Sequence, residues 1–91
     1  MNFNMYVIRD VVSHQNSGLI TAVSDECAVR DFAVNAGNTV SERIAKDLML
    51  VRVAELHDVV DNYPSVSGYP VPVPVCTLYE AMQSIQEDSD G

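Results

Sequence analysis

The chain has 91 residues, 47% of them hydrophobic, and its five lysines and arginines against thirteen acids give a net charge of −8. This length predicts one domain with a small core, and the apolar content excludes a wholly disordered chain. The acidity excludes a general nucleic-acid coat, for which a basic domain is usual, although it leaves room for a local basic patch.

The start of the chain predicts a hairpin followed by a helix. Met5–Val12 is rich in β-branched residues, Ser13–Gly18 clusters turn formers, and Leu19–Val23 resumes β character. These segments predict two strands joined by a six-residue polar loop. Ser24 is a good N-cap followed by two acids, and the apolar spacing after it predicts a helix that ends at Gly37.

The middle of the chain predicts a short helix and a buried strand. Thr39–Glu42 fits a capping box, so a helix through Lys46 should follow. Leu48–Leu56 is bulky and apolar, and a helix competes there because leucine, methionine and alanine favour helices. We favour a strand because it would be a central partner for the hairpin. His57–Tyr63 is predicted as an edge extension.

The composition changes sharply over residues 64–76, where prolines alternate with Val71, Val73 and Val75. Proline fixes φ and lacks an N–H, which excludes a central strand and predicts an extended, polyproline-like arm. The valines would be unfavourable in water unless the arm packs on its own domain or on a neighbouring chain. Thr77 and Glu80 then form a second capping box.

These elements predict an α+β fold. A compact domain over residues 1–63 has a small antiparallel or mixed sheet built from the hairpin and the third strand, with two helices. The extended Pro-Val arm covers residues 64–76. A short amphipathic helix and a frayed acidic tail cover residues 77–91.

No motif in the sequence predicts catalysis, a cofactor or a metal site. His57 and Asp58 are adjacent, but neighbouring residues on a strand point to opposite faces. Cys27 and Cys76 form no CxxC pair, which predicts buried, reduced thiols in an intracellular protein, with a long-range disulfide as the minority interpretation. No signal peptide and no membrane span are predicted. We therefore expect a protein that is not an enzyme.

Every base lies at or before Arg52. Through Val53, five bases oppose six acids, whereas from Ala54 onward there are seven acids and no base. The bases are the candidate phosphate contacts, and two aromatic rings are candidates for stacking on an unpaired base. The alternative is that the arginines pair with local acids. The predicted DNA-binding residues are Arg9, Arg30, Arg43, Lys46, Arg52, Tyr6 and Phe32.

A second hypothesis assigns the chain to protein–protein interaction. The acidic second half could attract a basic partner, and alternating prolines stiffen an arm so that less entropy is lost on docking. The residues predicted for this role are Glu55, Asp58, Asp61, Val71, Val73 and Val75. An acidic mimic of DNA is a third possibility, which the scattered acids do not favour.

Five short segments carry a family resemblance when they are taken in order. They are Tyr6–Asp10, Arg30–Ala33, Asn38, Asp47–Leu50 and Ala54–Asp58. This set resembles the small nonstructural protein of gokushovirus-like phages, a branch of the Microviridae with circular single-stranded DNA genomes.

The resemblance covers roughly residues 5–60, and the sequence departs from the family where aliphatic residues replace aromatic ones in the third strand. It implies a phage protein in the host cell cytoplasm that acts in viral DNA replication or in the switch to single-strand production. It also implies weak binding of single-stranded DNA, with a host or phage replication factor as the alternative partner. A homodimer is expected, and no catalytic residue is implied.

Overall fold

The computed structural model describes residues 2–37, 40–57 and 65–90, with side chains described as far as residue 85. Within these ranges the chain forms four strands and three helices. In chain order they are β1 (Phe3–Asp10), β2 (Gln15–Ala22), α1 (Asp25–Ala36), α2 (Glu42–Ala45), β3 (Leu48–His57), β4 (Ser65–Thr77) and α3 (Leu78–Asp90).

The four strands form one antiparallel sheet in the order β2-β1-β3-β4. The predicted α+β class is confirmed, and so is the central position of the third strand, which pairs with β1 on one side and β4 on the other. β3 is a strand despite the helix preference of its leucines, because it is largely apolar on both faces and has a pairing partner along each edge.

The hairpin turn is shorter than the sequence predicts. Gln15, Asn16 and Ser17 belong to β2 rather than to the loop, and they pair with the end of β1. The turn holds four residues because the Asp10 carboxylate accepts hydrogen bonds from the backbone N–H groups of Val12 and Ser13, at 2.9 and 3.2 Å. Pairing along the whole of β1 therefore overrides the local turn preference of the polar residues.

A bulge in β2 lies at Gly18, where the register shifts opposite β1. Gly18 has φ of +72°, a conformation that side chains with a Cβ rarely adopt, and a Cβ there would lie 3.2 Å from Ile8 Cδ1. A glycine is therefore required at this position in the edge strand.

The helix starts follow their capping residues. Ser24 caps α1 by accepting from Cys27 N at 3.3 Å, as predicted. The short helix α2 is present, but the capping residue predicted for it, Thr39, is wrong. The N-cap is Ser41, which accepts from Ile44 N. Thr39 itself lies outside the described residues. The second predicted capping box is confirmed, since Thr77 and Glu80 exchange hydrogen bonds of 3.0 and 3.1 Å.

The Pro-Val segment is a strand of the sheet rather than a polyproline-like arm. It pairs with β3 as β4, at the sheet edge where missing N–H donors are tolerated. Opposite Val53, the β4 segment Tyr69–Pro72 bulges out of register. Beyond it, α3 continues to Asp90, through most of the segment predicted as an acidic tail.

All three helices pack on one side of the sheet around a small core. Its fully buried large side chains are Tyr6, Phe32, Leu50 and Leu78, and most of its other members are alanines. The molecule is a flat slab of 44 × 35 × 19 Å with a radius of gyration of 14.0 Å. A compact chain of this length would have a radius of about 12 Å, so the fold is spread out, and none of the described helices covers the other side of the sheet.

Candidate interaction surface

The side of the sheet away from the helices carries an apolar groove of about 280 Å³. We call this side the open face. The groove is lined by Val7, Met49, Val51, Val53, Pro72 and Pro74, with Arg9 and Asn16 at one end. Successive side chains of a strand point to opposite faces of the sheet. The groove forms because the residues between the core-facing positions of β1 and β3 are also mainly aliphatic.

The open face extends beyond the groove in two directions. Phe3 pairs with Leu56, which pairs with Val66, so these three share the end of the face opposite Arg9. On β2, Leu19 pairs with Val7 of β1 and is 61% exposed.

No acid of the described strands points to the open face. Glu55 pairs with Asn4, and Asp10 pairs with Leu48, on the helical side of the sheet. In a chain of net charge −8, this face therefore carries a single arginine and otherwise uncharged side chains.

The five bases do not converge. Arg9 lies on the open face, where its Nη1 donates to Asn16 Oδ1 at 3.0 Å. Arg30 borders a groove between α1 and α3, Arg43 is exposed on α2, and Lys46 Nζ lies 4.9 Å from the centroid of the Tyr79 ring. Arg52 pairs with Asp25 at 3.1 Å. The single basic surface that would favour DNA contact is therefore not formed.

Tyr6 and Phe32, the two rings predicted to stack on bases, are buried. Both are 0% exposed and belong to the core, so neither ring face is accessible to a nucleotide. Tyr6 also donates from its hydroxyl to Asp25 Oδ1 at 2.5 Å. Their burial corrects the stacking expectation, because neither ring can contact a base. The aromatic residue that lies on the open face is Phe3.

A polar cluster that the sequence did not predict lies at the edge of the helical layer. Asp25 accepts from both Tyr6 and Arg52, and the Arg52 guanidinium lies 5.6 Å from the centroid of Tyr69. Tyr69 donates to Glu55 Oε1 at 3.2 Å, and His57 lies 3.6 Å from Glu55. Burial, the largest single cause, would lower the pKa of Arg52, but Asp25, Tyr69 and Tyr6 together outweigh it and raise that pKa. The cluster fixes α1 and the β4 bulge to β3.

The residues predicted for protein interaction are divided between two sides of β4. Val73 pairs with Arg52 on the helical side, and Val75 packs against the core, while Val71 is 73% exposed in the bulge. The prolines between them face the groove. Asp58 and Asp61 lie outside the described residues, and Glu55 belongs to the polar cluster.

The two cysteines are free and do not form a disulfide. Cys27 is exposed, which corrects the expectation that both are buried. Burial raises the pKa of Cys76 to about 11, so it is a neutral thiol at physiological pH. Within the described residues, no three histidine, cysteine, aspartate or glutamate side chains are grouped as metal ligands would be.

A bilayer-spanning helix is also absent from the part of the chain that the structure describes. Comparisons with protein-family models, curated proteins and solved structures give no significant match. The open face and the charge distribution therefore carry the functional argument, and the phage resemblance stays a prediction.

Proposed function

We propose that the chain is a non-enzymatic interaction module that binds a protein partner through its open face. The observation that carries this proposal is a contiguous, almost uncharged apolar groove on an otherwise acidic protein, with Leu19 and Val66 exposed at its margins and Val51 only 6% exposed at its centre. Soluble monomers rarely leave large apolar patches uncovered, and the centres of protein interfaces are depleted of charged residues.

The helical layer supports the same proposal from the opposite side of the molecule. The first turn of α1 holds Asp25 and Glu26, and α3 has Glu80 in its first turn and no base in its last. These acids keep the helical side charged and hydrated, so apolar contact with a partner is confined to the open face.

A pair of matched substitutions tests the proposal. Leu19 on the open face and Val34 on α1 are exposed by 61% and 59%. With tagged protein as bait in lysate of cells that produce it, we expect Leu19→Glu to lower recovery of the bound partner about tenfold, because an unpaired carboxylate would be buried. Val34→Glu adds the same charge to the helical layer and should leave recovery unchanged. Quantitative mass spectrometry measures both.

Two outcomes would contradict the proposal. One is equal recovery of every bound protein by the two variants, and the other is a loss only with Val34→Glu. Circular dichroism of both variants shows that each is folded before recovery is compared.

Weak binding of single-stranded DNA is a second candidate, and one observation favours it. Arg9 and Phe3 lie on the same face of β1, so a cation and an aromatic ring are both available there to a single strand of DNA. If Arg9 makes the phosphate contact, the slope of log affinity against log salt should be about −0.7, and Arg9→Gln should abolish it. Arg43→Gln is the control. Absence of binding to an oligonucleotide at ~50 mM salt, where phosphate contacts are strongest, would exclude this candidate.

A further inference from the structure

We infer that the protein covering the open face is a second copy of this chain, related by a two-fold axis so that the two sheets pack face to face. This inference rests on the proposed function, because it names the partner of the same surface. The resulting dimer has four layers, with helices outside and the two sheets inside.

The charge distribution favours a second copy in this orientation. The helical side carries acids, so packing the open face of one copy on the helical side of another would bury carboxylates without partners. Open face against open face buries none of the acids of the described strands. Of the surfaces described, the open face is therefore the one that is complementary to itself, as a two-fold interface requires.

Repulsion between two chains of net charge −8 does not oppose this arrangement strongly. One chain is 19 Å thick, and face-to-face packing places the two helical layers on opposite outer surfaces. Their acids are then separated by more than the thickness of one chain. This exceeds twice the Debye length of about 8 Å at physiological salt, so most of the repulsion is screened.

The lone cation on the face need not be buried by the dimer. Arg9 is the next-to-last residue of β1 and lies at one end of the groove, already donating to Asn16. At the end of the strand its guanidinium can reach solvent at the rim of a sheet-on-sheet interface, where charges are normally found. The centre of the face, around Val7 and Val51, is wholly aliphatic.

The size of the face fits a dissociable dimer. Four strands spaced by about 4.8 Å, with lengths of about 30 Å, give a footprint of ~550 Å². Two such faces bury roughly 1,100 Å² in total, at the low end for specific interfaces, so we expect a dimer that dissociates on dilution. Stacked sheets pack about 10 Å apart, which one layer of valine, methionine and proline side chains from each copy can fill.

Methionine oxidation tests this inference on the unmodified protein. Met49 is half-buried on the open face, and Met82 is half-buried on α3, so they are internal probes of the two sides. As protein concentration rises through the dimerisation range, we expect peroxide oxidation of Met49 to slow several-fold while Met82 is unchanged. Sedimentation should show a shift in the same range toward twice the 10.0 kDa mass of one chain.

Leu19→Glu should keep the chain monomeric and make Met49 oxidation independent of concentration, whereas Val34→Glu should dimerise normally. A monomer at all concentrations, or equal protection of Met49 and Met82, would overturn the inference. If the chain is monomeric but Leu19→Glu still loses another captured protein, the second copy is wrong and the proposed function stands. If the chain dimerises equally well with Leu19→Glu, the interface lies elsewhere and the inference fails.

Discussion

Replacing Phe32 by alanine is expected to lower the free energy of unfolding by about 3–5 kcal/mol. The ring is fully buried between α1 and the sheet, within a core whose other members are mostly alanines. Side chains around a buried site relax only partly into the cavity that a large truncation leaves, so the lost contacts are not replaced. A chain of this length has a total stability of about 5–14 kcal/mol, and Phe32→Ala should therefore unfold at much lower urea concentration.

Val34→Ala is the control for this experiment. Val34 lies two residues further along α1 and is 59% exposed, so its truncation should change stability by less than about 0.5 kcal/mol. The result would contradict a core role if Phe32→Ala unfolded at the urea concentration of the control. Loss of single-stranded DNA binding without loss of stability would instead restore the stacking role that the sequence suggested.

Local signals in the sequence were sufficient for the order of the elements. A β-branched run predicted β1, and a bulky apolar segment with a central place beside the hairpin predicted β3. Ser24 and the Thr77–Glu80 pair predicted the starts of α1 and α3, because capping depends on residues that are neighbours in the chain. The edge strands were predicted poorly. The polar start of β2 and the prolines of β4 disfavour strands locally, and their pairing with β1 and β3 depends on residues far along the sequence.

The open face could be predicted only in part. The apolar character of both faces of β3 was visible in the sequence and predicted a strand buried on both sides. Which face the helices leave uncovered is a property of the assembled layers, so the sequence could not show it. For the same reason the tyrosine at position 6 could not be distinguished as core, whereas Phe3, three residues earlier, lies on the open face.

The charge asymmetry along the sequence corresponds to a different asymmetry in space. The sequence divides into a nearly balanced half and an acidic half, with the break near Val53. In the fold, β3 crosses that boundary and pairs with β1 from the first half and β4 from the second, so the halves do not form two surfaces. The division in space is between an acidic helical side and an almost uncharged sheet face.

The stability of the fold is expected to fall at alkaline pH because of Tyr6. Burial first, and then the hydrogen bond to Asp25, raise the pKa of its hydroxyl from 10.0 to about 12. Between these two values the unfolded chain loses the Tyr6 proton while the folded chain keeps it. The stabilisation is therefore fully present below pH 10, and it decreases by up to about 1.4 kcal/mol per pH unit until the folded pKa is passed.

Tyr6→Phe isolates this effect from the other groups that titrate in the same range. At neutral pH the variant should be about 1 kcal/mol less stable than the unmodified protein, because it lacks the hydrogen bond to Asp25. It has no phenol to ionise, so it should lose less stability as pH rises. We expect the two curves of unfolding free energy against pH, measured with urea, to cross between about pH 10 and pH 12. Parallel curves would show that the Tyr6 hydroxyl titrates alike in both states and that its buried contact with Asp25 does not hold the proton.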